Sequence, residues 1–178
     1  MGIPTLISTA TETDVASIDI TSGIDSTYDE YMFVMTDVNP ATDGVHFQFQ
    51  VSTDGGSSYG ETKTTTYFDA THDEADGVAQ MGYQAASDLA ESTSAQRLFY
   101  SIGSGSDECM AGILHLFNPA STTYAKHFYA RTNAYQSADR TTDTFISGYV
   151  NTTSAVDAIQ FAMHSGNFDG VIQMYGIS

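Results

Sequence analysis

The amino-acid sequence predicts an all-β chain, an antiparallel β-sandwich of jelly-roll type with at most one short helix. Two observations carry that expectation. Of 178 residues, 23 are Thr and 19 Ser, beside 11 Tyr and 10 Phe, while Lys and Glu, the usual stock of surface helices, are scarce. β-Branched and aromatic side chains suit a pleated, half-buried surface. The second observation is spacing: roughly ten short apolar segments follow one another, with turn residues about every 8–15 positions.

Taken in order, residues 1–14 carry Ile3, Leu6 and Ile7 before turning polar, and are expected to form an N-terminal arm or edge strand. Residues 15–178 are expected to make one sandwich domain, since a chain of this length supports a single core. Residues 16–20 alternate as a short strand. Residues 31–38 (YMFVMTDV) are apolar in both phases, which predicts a central strand covered on two sides. After a loop at 39–44, residues 45–52 give the cleanest pattern. Val45, Phe47, Phe49 and Val51 point one way, and His46, Gln48, Gln50 and Ser52 the other. Asp54-Gly55-Gly56 supplies a tight turn, because glycine accepts the positive φ that such turns demand. Residues 59–68 return as a Thr-rich strand.

The middle of the chain breaks the pattern. Residues 72–91 are acidic and Ala-rich, with Ala85, Ala86, Leu89 and Ala90 on one helical face. They predict a long excursion holding at most one short helix around 84–91. Strands resume at 96–102, 109–117, 127–132, 144–151, 158–163 and 171–175. The 109–117 segment differs from 45–52. Met110, Leu114 and Leu116 fall on one face, and Cys109, Ala111, Ile113 and Phe117 on the other. Both faces therefore need cover. The second sheet supplies one cover; a neighbouring subunit, or else the excursion, supplies the other.

Composition excludes several functions. Five Lys+Arg against 22 Asp+Glu give a formal net charge of −17. Such a chain repels a phosphate backbone, so nucleic-acid binding is not expected. No apolar run approaches the roughly 18 residues of a membrane helix, and no basic-plus-apolar leader opens the chain. No membrane partner is expected, and folding in a reducing cytoplasm is. The lone Cys109 rules out an internal disulfide and a Cys-based zinc site.

Catalytic and binding motifs are sparse. There is no Gly-x-Ser-x-Gly elbow, no His-Glu-x-x-His motif and no Walker loop. The cluster His72-Asp73-Glu74-Asp76 offers oxygen ligands for calcium, but its spacing fits no EF-hand and a solvated loop is the better reading. The five His, at 46, 72, 115, 127 and 164, are scattered, and the four on or beside expected strands are expected to face outward. A sugar platform needs exposed aromatic faces; Trp is absent, and Tyr28, Tyr59, Tyr83 and Tyr135 lie in expected turns. No catalytic residue, cofactor or metal is assigned, and the chain is expected not to be an enzyme.

Two resemblances add to this. Residues 52–59 (STDGGSSY) resemble the Asp-box hairpin of sialidases and related β proteins, in which the Asp caps the turn's backbone N–H groups; the implied role is structural. More broadly, the chain resembles the small virion structural proteins of tailed bacteriophages, especially marine ones. The stretches are Ile18-Asp19-Ile20-Thr21-Ser22-Gly23-Ile24, Tyr28-Asp29-Glu30-Tyr31, Phe47-Gln48-Phe49-Gln50, Leu116-Phe117-Asn118-Pro119, Asn151-Thr152-Thr153-Ser154-Ala155, Ile159-Gln160-Phe161 and Met174-Tyr175-Gly176-Ile177. That resemblance implies a non-enzymatic capsid decoration (cement) protein. It would be a homo-oligomer, expected as a trimer, bound to the major capsid protein or to tail proteins of a virion assembled in the host cytoplasm. The alternative it leaves is a tail or tail-fibre component with a host-glycan-binding role.

Overall fold

Alternating side chains commit a strand to burying one face, and this chain solves the problem by folding two unequal sheets against each other. The computed structural model describes residues 2–178, and among them there are twelve strands and no helix. The strands are β1 (Thr5–Val15), β2 (Ser17–Ile20), β3 (Glu30–Pro40), β4 (Val45–Ser52), β5 (Lys63–Asp73) and β6 (Ala79–Tyr83). They continue as β7 (Gln96–Ile102), β8 (Met110–Phe117), β9 (Lys126–Gln136), β10 (Arg140–Val150), β11 (Ala158–Met163) and β12 (Phe168–Ile177). Every pairing is antiparallel. One sheet runs β1-β12-β3-β8-β9-β10-β5-β6, the other β2-β11-β4-β7, and a single residue pair, Ile102 opposite Gln136, joins them. Setting aside β1, β12 and the β9–β10 hairpin, the order is β2-β11-β4-β7 facing β3-β8-β5-β6, which is a jelly roll. The hairpin widens the larger sheet between β8 and β5, and β12 and β1 extend its opposite end. The N-terminal segment is thus an edge strand, paired with β12 along its length.

Aromatic rings from the two sheets meet between them. Phe33 of β3 reaches Phe161 of β11 (ring centroids 5.7 Å apart), Phe47 of β4 meets Phe168 of β12 edge-on at 5.4 Å, and Phe49 of β4 meets Phe128 of β9 at 5.1 Å. Towards β5 the interior turns polar and the buried Thr hydroxyls find partners, although the Tyr67 hydroxyl has none among the described residues. Thr65 donates to Gln96 Oε1 at 2.6 Å, Thr71 and Thr142 share a bond of 3.0 Å, and Thr132 donates to the Leu98 carbonyl at 2.7 Å. Buried Asp69 accepts from Gln84 Nε2 at 3.0 Å and from the Tyr100 hydroxyl. A chain so rich in Thr can build part of its core from it, because each buried Thr hydroxyl is paired.

Three expectations need correction. The 84–91 segment forms no helix. Once β6 ends, this segment runs along the free edge of β5, where Gln84 N–H donates to the Tyr67 carbonyl (2.9 Å) and Leu89 N–H to Thr65 Oγ1 (2.8 Å). A helix there would leave the β5 edge unpaired, so tertiary hydrogen bonding overrides the Ala-rich propensity. Residues 59–62 remain loop, and the strand starts at Lys63. Residues 31–38 are central in the sheet, but only one face is covered by protein: Tyr31, Phe33 and Met35 are buried while Met32, Val34 and Thr36 are half-buried on the outer side.

Candidate interaction face

The outer face of the larger sheet is where the sequence and the fold come apart. In β8, Met110, Leu114 and Leu116 enter the core, and Ala111 and Ile113 point outward with Ile113 38% exposed. The excursion does not lid them. Its strand β6 lies four strands away, about 19 Å across the sheet at normal strand spacing. Registers place Val34, Ile113, Arg131, Phe145, Phe68 and Tyr83 directly opposite one another in β3, β8, β9, β10, β5 and β6. One row of mostly apolar side chains therefore crosses six strands. A second row beside it carries Met32, His115 and Tyr129.

These side chains are organised among themselves. Phe68 and Phe145 stack with centroids 4.9 Å apart, and the Arg131 guanidinium lies 4.8 Å from the Phe145 ring centre. Asp143 holds that guanidinium through Nη2 to Oδ2 at 2.6 Å and Nε at 3.1 Å, keeping it over the ring. His115 stacks on Tyr129 at 4.6 Å and bonds Glu30 through Nδ1. Phe68 is 40% exposed, Tyr129 46% and Met81 76%. A groove of about 540 Å³ opens alongside Ile113, between Val34, Ala111, Arg131, Asn133 and Asp143. It forms where β3 departs from β8: the pairing slips between Met35 and Val38, with Asp37 in the left-handed region at φ 53°. Bulges of this kind bend a strand and re-aim its side chains.

Around this face the surface is acidic. Two of the five cationic side chains, Lys63 and Lys126, are buried, and Arg131 is neutralised by Asp143. Of the 22 carboxylates, Asp69 is buried and Asp143 is paired with Arg131, and most of the others face solvent with little compensation.

The remaining sequence candidates have structural roles. Asp54 accepts hydrogen bonds from the Ser52 hydroxyl (2.7 Å), the Ser58 N–H (2.9 Å) and the Ser58 hydroxyl, and those bonds, Ser52's first, hold its carboxyl down at about 2. Gly55 and Gly56 have φ of 72° and 83°, as the turn requires. A side chain on Gly56 would also meet Thr21 Cγ2 at 2.7 Å. Gly56→Val is expected to lower the unfolding free energy by about 1 kcal/mol or more, read as a melting-temperature drop; an unchanged melting temperature would show that the turn tolerates the strain. In the 72–76 cluster the ligands diverge. Asp73 caps the Gly77 and Val78 N–H groups (2.7 and 2.9 Å), Glu74 accepts from Tyr135 (2.9 Å), and His72 pairs with Asp76 (3.2 Å). Among the described residues, no three His, Cys, Asp or Glu side chains converge as metal ligands do. His46 stacks on His164 at 4.5 Å, and burial lowers its pKa to about 4. Tyr28 packs edge-on against Tyr31 at 5.9 Å. Cys109 is half-buried and burial raises its pKa, away from a reactive thiolate.

The sequence matches no protein-family model, and no characterised protein or solved structure matches the chain.

Ile113 was legible from alternation. Phe68, Tyr129, Arg131 and Phe145 were not singled out. Their only trace is an aromatic ring in the otherwise Thr and Ser phase of 64–68 and 145–147, and nothing in it says that the two rings are neighbours.

Proposed function

We propose that this chain is a non-enzymatic structural protein of a bacteriophage virion, a capsid decoration protein that binds and stabilises the shell as a homo-oligomer, expected as a trimer. The observation that carries the reading is the open apolar row across the larger sheet. A jelly roll whose core is complete keeps Ile113, Phe68, Phe145, Tyr129 and Met81 on one outer face, amid a strongly acidic exterior. Contiguous exposed apolar surface of this kind marks a contact site, because a solitary soluble protein gains nothing from it. The rest of the reading comes from the likeness of the sequence to phage virion proteins.

Copies that meet through this face bury Ile113 at the contact, which contributes roughly 1.5–3 kcal/mol per side chain. The test is sedimentation of the wild type and of Ile113→Asp. The wild type is expected to be oligomeric and the variant a folded monomer. A monomeric wild type at high concentration, or an Ile113→Asp variant that stays assembled, overturns the face as the interface between copies. The second reading, a tail or tail-fibre component with a host-glycan-binding role, is favoured by the polar cavity of the smaller sheet described next. Copy number on the purified particle separates the two.

A further inference from the structure

The outer face of the smaller sheet has a different chemistry. Alternation turns His46, Gln48 and Gln50 of β4 away from the core. Arg97 of β7 stands opposite Gln48, and Gln160 of β11 opposite Gln50. No aromatic row covers these strands; amides and one guanidinium do.

A wall rises beside them. The segment between β6 and β7 folds back along the sheet and is tied down at several points. Arg97 Nη1 donates to the Ala86 carbonyl at 2.8 Å, and Gln96 Nε2 donates to the Ser87 carbonyl at 3.0 Å. Leu89 is bonded through its N–H to Thr65 Oγ1 and through its carbonyl to the Thr65 N–H, at 2.8 and 2.9 Å. Between wall and sheet lies a cavity of about 420 Å³, lined by Gln48, Gln50, Arg97, Asp88, Ser94 and Leu89. That volume falls within the range of small-molecule sites. Because these hydrogen bonds pin the wall, a ligand would not have to order it.

The lining sets the ligand class. Gln50 Oε1 is shut off from solvent and has no hydrogen-bond partner among the described residues. Rotation about the terminal torsion, a broad two-fold well, presents either amide atom to the cavity. Arg97 carries five N–H donors, and the chain uses those of Nη1. Asp88 is oriented by the Tyr83 hydroxyl, which donates to its Oδ2 and leaves Oδ1 free. Donors and acceptors thus both line the cavity, with one positive and one negative group. Vicinal hydroxyls, each able to donate and accept, match that arrangement, and the Leu89 and Ala95 side chains offer apolar contact to ring C–H groups. A phosphate or carboxylate would meet Asp88 and a chain of net charge −17. A nucleobase would find no ring to stack on.

We propose that this cavity binds a neutral sugar residue, with Arg97 and Gln48 donating to its hydroxyls and Gln50 and Asp88 accepting from them. The inference does not rest on the oligomer interface, which uses the outer face of the larger sheet; Tyr83 belongs to both, but neither test changes it, so either reading can fail alone.

The test is saturation-transfer NMR on the full chain with the methyl glycosides of glucose, galactose, mannose and N-acetylglucosamine, and with N-acetylneuraminic acid as the acidic comparison. At least one neutral glycoside is expected to show transfer. Gln50→Leu is expected to weaken that binding at least tenfold while keeping the wild-type melting temperature, since the side chain gives up no internal hydrogen bond. Gln48→Ala provides the second reading should Gln50→Leu fail to fold. Silence across the neutral panel, response to the acidic sugar alone, or transfer unchanged in a folded variant overturns the site.

Discussion

Replacing Phe161 by alanine is expected to remove about 3–5 kcal/mol of unfolding free energy, while the same change at Phe145 removes less than about 1 kcal/mol and weakens self-association instead. Both residues are strand phenylalanines with aromatic neighbours, so residue type alone does not separate them. Phe161 is fully buried between the sheets, with Phe33 at 5.7 Å on one side and Phe47 at 6.1 Å on the other. Truncation there leaves a cavity lined by rings that cannot collapse, and the lost packing adds to the lost transfer energy. Phe145 lies on the outer face against Phe68 and Arg131, where water fills the space that truncation opens. Against a total stability of about 5–15 kcal/mol, the first loss threatens the fold and the second does not. Urea unfolding followed by far-ultraviolet circular dichroism separates them, run at a concentration where the wild type is dissociated. Equal losses at the two positions would mean that the outer row is part of the core, and the interface would then have to lie elsewhere.

The contrast also marks how far the sequence can be read. Strands 45–52 and 158–163 coincide with their observed bounds, because each mainly buries one face and so writes period-two alternation into the chain; 96–102 coincides as well, although its pairing with β4 is irregular and Leu98 and Phe99 are both buried. β6 (Ala79–Tyr83) was missed for the converse reason: all five residues are exposed, so an edge strand has no inside to record. The far ends of β9 and β10, residues 133–136 and 140–143, lie outside the expected strands because their inward residues are Ala134, Gln136 and Thr142, small or polar side chains that carry little hydrophobic signal. Interaction residues divide in the same way. Ile113 sits in a strand that is apolar in both phases, which is a local fact. The row that joins it to Arg131, Phe145 and Phe68 depends on the register of strands far apart in sequence, and register is fixed only when the sheet assembles. The same holds for the sugar cavity, whose Gln48, Gln50 and Arg97 are brought under the 84–95 wall by an edge pairing that local propensity argued against.

Changing Lys63 to methionine is expected to raise stability at neutral pH by about 1–4 kcal/mol, an unusual direction for a buried position. Lys63 opens β5 with its side chain fully buried, and its Nζ donates to a single carbonyl, that of Glu61, at 2.7 Å. Across the sheet Val150 separates it from Lys126, also buried, whose Nζ rests on the Tyr124 and Thr152 carbonyls. Among the described residues no carboxylate bonds either ammonium, so burial dominates and holds Lys63 at about 8, with the Glu61 charge opposing; Lys126 is lowered for the same first reason. In the unfolded chain the lysine titrates near its ordinary value of about 10.4. Between pH 8 and about 10.4 the unfolded state therefore holds a proton that the folded state has released, and stability rises with pH across that window. Below pH 8 both states are protonated and the full cost of the buried charge, roughly 3 kcal/mol, is present. Tyrosine works the other way. Burial pushes Tyr100 up to about 12, and the bond to Glu74 pushes Tyr135 up to about 12, so above pH 10 the folded state keeps protons that the unfolded state loses, and stability falls. The wild type is expected to be most stable near pH 9–10, and Lys63→Met to flatten the climb from neutrality, leaving only the part due to Lys126. Urea midpoints measured from about pH 6 to 11 read both effects. A wild-type curve flat from pH 7 to 9.5, or a methionine variant no more stable than wild type at pH 7, would show that the ammonium is solvated by water at the mouth of the sandwich and carries no such cost.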